Sequence, residues 1–200
     1  MRGIRVSSQI LSQSCMMELP LVLLVLVSAC AGKDWIPPPF CHGRCPPFTV
    51  VETHQDFEER LYAPAKWLTT PMGGATVTDL LAAKHRLEKV ATDADTWPVL
   101  INYTNGLDLS YSYFVPADST LMDGTDPSVT LLSRPEVTVY VRSYDGTPSI
   151  ARGRDNRKTL YDALIKAGKT AADPNSYTWA GYDSYWSLTH HNEVWIEKTQ

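Results

Sequence analysis

The alternation of apolar and polar positions is sharpest between Glu136 and Gly146, where Val137, Val139 and Val141 oppose Thr138, Tyr140 and Arg142. A period of two built from β-branched and aromatic residues predicts a half-buried strand, and Asp145-Gly146 closes it as a turn. A helical stretch, Ile150 to Lys166, follows, with Leu160, Leu164 and Ile165 expected in the core and Gly168 at the C′ position. Two more strand-like segments, Ser176 to Tyr182 and Glu193 to Lys198, complete an order of strand, helix, strand, strand.

The N-terminal half repeats that order. Phe48 to Thr53, Phe57 to Tyr62 and Ala65 to Thr70 alternate as strands, and Thr76-Val77-Thr78-Asp79 has the form of a capping-box helix start. At 100° per residue, Val77, Leu80, Leu81, Leu87, Val90 and Ala91 share one side of that helix, with Lys84 inside the apolar stripe and His85 at its edge. Trp97 to Tyr103 and Leu107 to Val115 then read as a hairpin around Thr104-Asn105-Gly106. Ala117 to Arg134 reads as a long polar connection between the halves. The two pseudo-repeats predict an α+β chain with two main helices.

The ends of the chain change the picture. Arg2 and Arg5 precede an apolar run, Leu19 to Val27, followed by Ala29-Cys30-Ala31. Nine residues are too few for a bilayer-spanning helix, which needs about 20. Residues 1–31 therefore read as a secretory signal peptide, with Met16 or Met17 as an alternative start. A second reading takes Val27-Ser28-Ala29-Cys30 as a bacterial lipobox. Residues 32–47 form an arm holding five of the fourteen prolines, which excludes a helix or inner strand there. After processing only Cys41 and Cys45 are left, an even pair that suggests a disulfide in an exported chain. Asn102-Tyr103-Thr104 is a glycosylation sequon, usable where its turn is exposed.

The whole chain has 18 basic and 22 acidic residues, and the signal removes two arginines and one glutamate, so the balance stays negative. Nothing in it attracts nucleic acid or anionic lipid, and no membrane span is expected after processing. Nucleophile-elbow, phosphate-loop and zinc-protease motifs do not occur, which argues against an enzyme.

Four segments carry a resemblance to the SOUL haem-binding protein family, in its haem-binding protein 2-like branch. Phe57 to Trp67 is similar to the family's Y-E-x-R-x-Y-x-P-A-x-W motif, and Thr96-Trp97-Pro98-Val99 to its M-T-x-P-V motif. Val137 to Gly146 resembles its V-x-V-R-S-F-D-G strand, while Ala180-Gly181-Tyr182-Asp183 and Asn192-Glu193-Val194-Trp195 resemble its A-G-Y-[ND] and N-E-[VI]-W ending. The order and spacing hold over about residues 48–198, and residues 48–200 are taken as the domain. The resemblance implies a distorted β-barrel of tandem β-α-β-β units, and the signal, arm and sequon mark a secreted branch.

The resemblance further implies a monomeric, non-enzymatic carrier or scavenger that holds haem or a related tetrapyrrole without a covalent bond, in an apolar groove. Candidate groove residues are Leu81, Lys84, His85 and Trp97, with Tyr185 and Trp186 as further walls. Where a histidine ligand has been proposed in the family this chain has Leu61, which cannot ligate iron. Five histidines are left as candidate axial ligands, and His85 comes first, ahead of His54 and His42, because it flanks the apolar helix face. His190 and His191 are expected to face water. The competing expectation is an extracellular interaction glycoprotein that keeps the fold, has lost haem, and meets a protein partner through the Pro-rich arm.

Overall fold

The computed structural model describes residues 35–91, 95–105, 108–121, 126–173, 175–184 and 186–199. The expected signal peptide, residues 1–31, and Tyr185 lie outside the described residues. Ile36–Gln200 forms one compact unit. Among the described residues no helix is long and apolar enough to cross a membrane.

Nine strands make a single antiparallel sheet. They are β1 (Phe48–Thr53), β2 (Glu58–Tyr62), β3 (Ala65–Pro71), β4 (Val99–Thr104), β5 (Asp108–Val115), β6 (Thr130–Arg134), β7 (Val137–Asp145), β8 (Tyr177–Gly181) and β9 (His191–Glu197). Their order is β1-β2-β7-β9-β8-β4-β5-β3-β6. The central six strands show the repeat read from the sequence: β7-β9-β8 from one half and β3-β5-β4 from the other meet where β8 pairs with β4. The sheet is curled into a half-barrel, and its two edges, β1 and β6, do not pair with one another.

Two helices, α1 (Val77–Glu88) and α2 (Ile150–Lys166), cover its convex face. α1 starts where the sequence predicts, with Thr76 Oγ1 accepting from the Asp79 amide and the Asp79 carboxylate accepting from Thr76 N at 3.2 Å. α2 is capped by Ser149, whose hydroxyl accepts from Arg152 N. It ends in a Schellman turn: Lys169 N donates to Leu164 O and Gly168 N to Ile165 O, with Gly168 at φ +66°.

Strand alternation sorts the core into two layers. On the convex side, Leu68, Tyr111 and Val115 pack with Ala83 and Leu87 of α1 and with Val90 just after it. Phe57, Tyr140, Val194 and Ile196 pack with Leu160 and Leu164 of α2. The concave side holds Tyr62, Trp67, Leu100, Phe114, Val139, Val141, Tyr182 and Trp195.

Four sequence expectations need correction here. Val77 and Leu81 are 64% and 57% exposed, because α1 presents Leu80, Ala83 and Leu87 to the sheet instead. Ile165 is 62% exposed, since the α2 stripe passes through Leu160 and Leu164. The connection 117–134 ends in an edge strand, β6, whose ladder to β3 runs from Ala65↔Arg134 to Thr69↔Thr130. His190 is buried rather than facing water, and the His191 side chain is only 21% exposed.

The arm is docked on the domain. Arg44 bridges to Thr96 in parallel, Trp97 N donates to Arg44 O, and Ala63 N donates to Pro47 O. Cys41 and Cys45 form a disulfide, which places Phe40 over the concave end of the sheet. There the Phe40 ring stacks on His191 at 4.0 Å and meets Tyr182 edge-on at 4.8 Å.

Candidate functional site

Two places on the domain have the makings of a site, and they lie on opposite faces of the sheet. The first is the outer side of α1. Val77, Leu81, Lys84 and Glu88 follow one another at helical spacing, and His85 lies one turn after Leu81. Lys84 pairs with Glu88 at 2.7 Å, with both side chains about half exposed (46% and 48%). Solvated i,i+4 pairs of this kind are worth only about 0.3–0.5 kcal/mol, so Lys84 exchanges partners at little cost.

The second is the concave interior. One end is closed by the arm and by a buried charge cluster. Arg60 and Glu193 pair at 2.9 Å, and the other Glu193 oxygen accepts from Trp195 Nε1 at 2.7 Å and the Tyr182 hydroxyl at 3.1 Å. His191 Nε2 lies 2.9 Å from Glu193 Oε1, while Phe48 and Phe40 lie over the Arg60 guanidinium at 4.5 and 5.7 Å. Burial pulls the Glu193 carboxyl upward, but Arg60, His191 and Trp195 outweigh it and hold it below the ordinary carboxylate range. The Tyr62 and Tyr182 hydroxyls are pushed up, chiefly by burial and next by the Glu193 charge.

The other end is open. A cavity of about 290 Å³ lies among Tyr62, Trp67, Val137, Val139 and Trp195, with Asn102, Thr178 and Arg134 as its polar wall and exposed Thr104, Pro135 and Glu197 at its rim. Asn102 Nδ2 donates to the Ser110 and Ser112 hydroxyls, and its oxygen accepts from Thr178 Oγ1 at 3.0 Å. Such a volume is at the bottom of the range for small-molecule sites, roughly 300–1,000 Å³.

The structure does not gather the expected groove residues in one pocket. Leu81, Lys84 and His85 share the solvent side of α1. Trp97 is half-buried against the concave core, and its indole N–H reaches Asp95 at 3.4 Å. Trp186 stands 86% exposed in the β8–β9 connection, and Tyr185 lies outside the described residues. None of the described ones among these residues lines the cavity. Leu61 is half-buried on the convex face, between Thr49 and Thr138 in the ladder. Asn102 of the sequon, usable only where exposed, is 7% exposed, and its side chain is engaged at both ends.

Sequence reasoning missed the charge cluster and the cavity wall. Glu193 and Trp195 stand in the N-E-V-W segment, but their role appears only when β9 lies beside β7. Among the described residues, no three His, Cys, Asp or Glu side chains are grouped to hold a metal ion.

The domain is thus a curled antiparallel sheet of two strand-helix-strand-strand repeats, with helices on one face and an aromatic cavity on the other. The sequence profile of the SOUL heme-binding protein family matches residues 43–197, and the chain belongs to that family. It is 30% identical over 161 residues to heme-binding protein 2 of Mus musculus and 29% to that of Homo sapiens; each comparison spans 70% of this chain and 77% of the relative. The EcmrR C-terminal domain crystal structure has the same fold, with a TM-score of 0.53 at 9% identity over 72% of this chain and 98% of that one.

Proposed function

We propose that this chain is a secreted, non-enzymatic binder of haem or a related tetrapyrrole, acting as a carrier or scavenger. The macrocycle lies on the outer side of α1. The observation that carries this reading is the exposure of Val77 and Leu81, an apolar pair on one helix row with Lys84 beside it. Membership of the SOUL heme-binding protein family and the similarity to heme-binding protein 2 support the ligand class.

The residues on that face fit the group. When bound, haem supplies an iron centre and two propionates on a flat apolar ring. Val77 and Leu81 offer an apolar platform, Lys84 a cation for a propionate, and His85 an imidazole on the same side of the helix. The concave cavity is too small to enclose the macrocycle, which favours a surface-bound mode. Trp97 is committed to the concave core and takes no part in this face. Export is supported by the Cys41–Cys45 disulfide, a bond that persists in oxidising compartments.

Haemin titration followed at the Soret band tests the reading, with Leu81→Ala, Lys84→Ala and His85→Ala variants alongside the parent chain. Saturation at one equivalent is expected, with affinity falling severalfold in the Leu81 and Lys84 variants and the ligand-field spectrum changing in the His85 variant. Unchanged affinity in all three removes haem from α1, and the absence of saturable binding at micromolar protein removes it from the chain.

A further inference from the structure

We propose that the concave cavity is a second binding site, for a two-ring aromatic carboxylate held between the cavity's indole walls and the Arg134 guanidinium. The volume sets the size. An engineered cavity of about 150 Å³ takes one benzene, and about 290 Å³ therefore suits a bicyclic ring.

The walls set the shape and the charge. Trp67 and Trp195 both project from the concave face, and the Trp195 N–H is already committed to Glu193 at 2.7 Å. What Trp195 offers the cavity is its ring, a flat apolar surface suited to stacking. Arg134 is the cation at the mouth, with a side chain one-third exposed. Its Nη1 is 3.8 Å from Glu197 and its Nη2 is 3.5 Å from Asn102 Oδ1, both longer than the roughly 2.7–2.9 Å of a formed charge-assisted bond. A planar donor fork held this loosely is free to take a carboxylate bidentately.

A cationic ligand fits less well. The Asp173 carboxylate at the rim is already bonded to the Ser176 hydroxyl and the Asn175 amide, and Glu197 is 57% exposed, so it can turn to water when an anion enters. Asn102 and Thr178 hold one another at 3.0 Å and keep the polar wall in place. None of the α1 face residues borders this space, so the site stands independently of the haem reading.

Calorimetric titration of the full chain with 2-naphthoate and with neutral 2-naphthamide tests the site. The carboxylate is expected to saturate one site and to bind at least tenfold tighter than the amide. Arg134→Gln, at a partly exposed position, is expected to cut naphthoate affinity roughly tenfold or more while leaving naphthamide within about threefold. Ala65→Phe, which fills the cavity opposite Arg134 in the ladder, is expected to abolish binding of both probes with an unchanged far-ultraviolet dichroism spectrum. Lys84→Ala leaves naphthoate binding unchanged, which separates this site from the one on α1. No saturable heat from naphthoate at millimolar concentration overturns the proposal, as does an equal loss of both probes in Arg134→Gln.

Discussion

The Arg60 guanidinium and the Glu193 carboxylate, 133 positions apart in the chain, pair at 2.9 Å with side-chain exposures of 4% and 0%. Arg60 is on β2 and Glu193 on β9, with β7 between them, so the pair spans three strands on the concave face. Each charge is tolerated inside only because the other is there.

Arg60→Met leaves Glu193 buried without its cation. The expected loss is about 3–5 kcal/mol in urea unfolding. Arg60→Met with Glu193→Leu removes both charges, and the double variant is expected to unfold later than the single one. An Arg60→Met chain as stable as the parent shows that the remaining donors, Trp195, Tyr182 and His191, suffice for the carboxylate.

Acid should weaken the fold through two carboxyls. Glu193 is held down by Arg60, and Glu59 by Lys198 at 2.5 Å and Lys169 at 3.2 Å, each against the upward pull of burial. A carboxyl lowered in the folded state adds stability above its unfolded value that is lost as pH falls through the folded one. Thermal unfolding temperature is therefore expected to be level above the ordinary carboxylate range and to fall below it. Glu59→Gln with Glu193→Gln should flatten that acid limb; a limb of unchanged steepness assigns it to other groups.

Neighbouring residues at the end of α2 should behave very differently. Leu164 is 1% exposed and Ile165 62%, so Leu164→Ala is expected to cost about 2–5 kcal/mol through lost burial and a cavity. Ile165→Ala is expected to stay within roughly 0.5 kcal/mol. Equal losses in denaturant titrations would mean that α2 is rotated about its axis from the packing described above.

Asn102 should carry no glycan in the folded chain. Its amide nitrogen is bonded to Ser110 and Ser112 inside the half-barrel, and attaching a sugar would break those bonds. Intact-mass measurement after expression in a glycosylating host is expected to show an unmodified Asn102. Asn102→Ala is expected to lose about 1–3 kcal/mol, because Thr178 and Ser112 lose their buried partner.

The sequence by itself determined the elements whose signal is local. β7 follows from valine alternation, the start of α1 from Thr76 and Asp79, and the end of α2 from Gly168, since each depends on neighbours within a turn or a pleat. The doubled strand-helix-strand-strand order and the four family segments also carried the fold class and the family.

What only the tertiary structure decided are the quantities set by residues far apart in the chain. The α1 stripe holds two overlapping apolar rows, and contact with Leu68, Tyr111 and Val115 chooses the row through Ala83 and leaves Val77 and Leu81 in water. β6 has no clean alternation and becomes a strand because β3 offers it a ladder. The pairing of Arg60 with Glu193, the burial of Asn102 and the meeting of Arg134 with Trp195 across one cavity all require the curvature of a nine-stranded sheet. Local propensity carries no record of that curvature, because it arises from the summed twist and packing of strands distant in sequence.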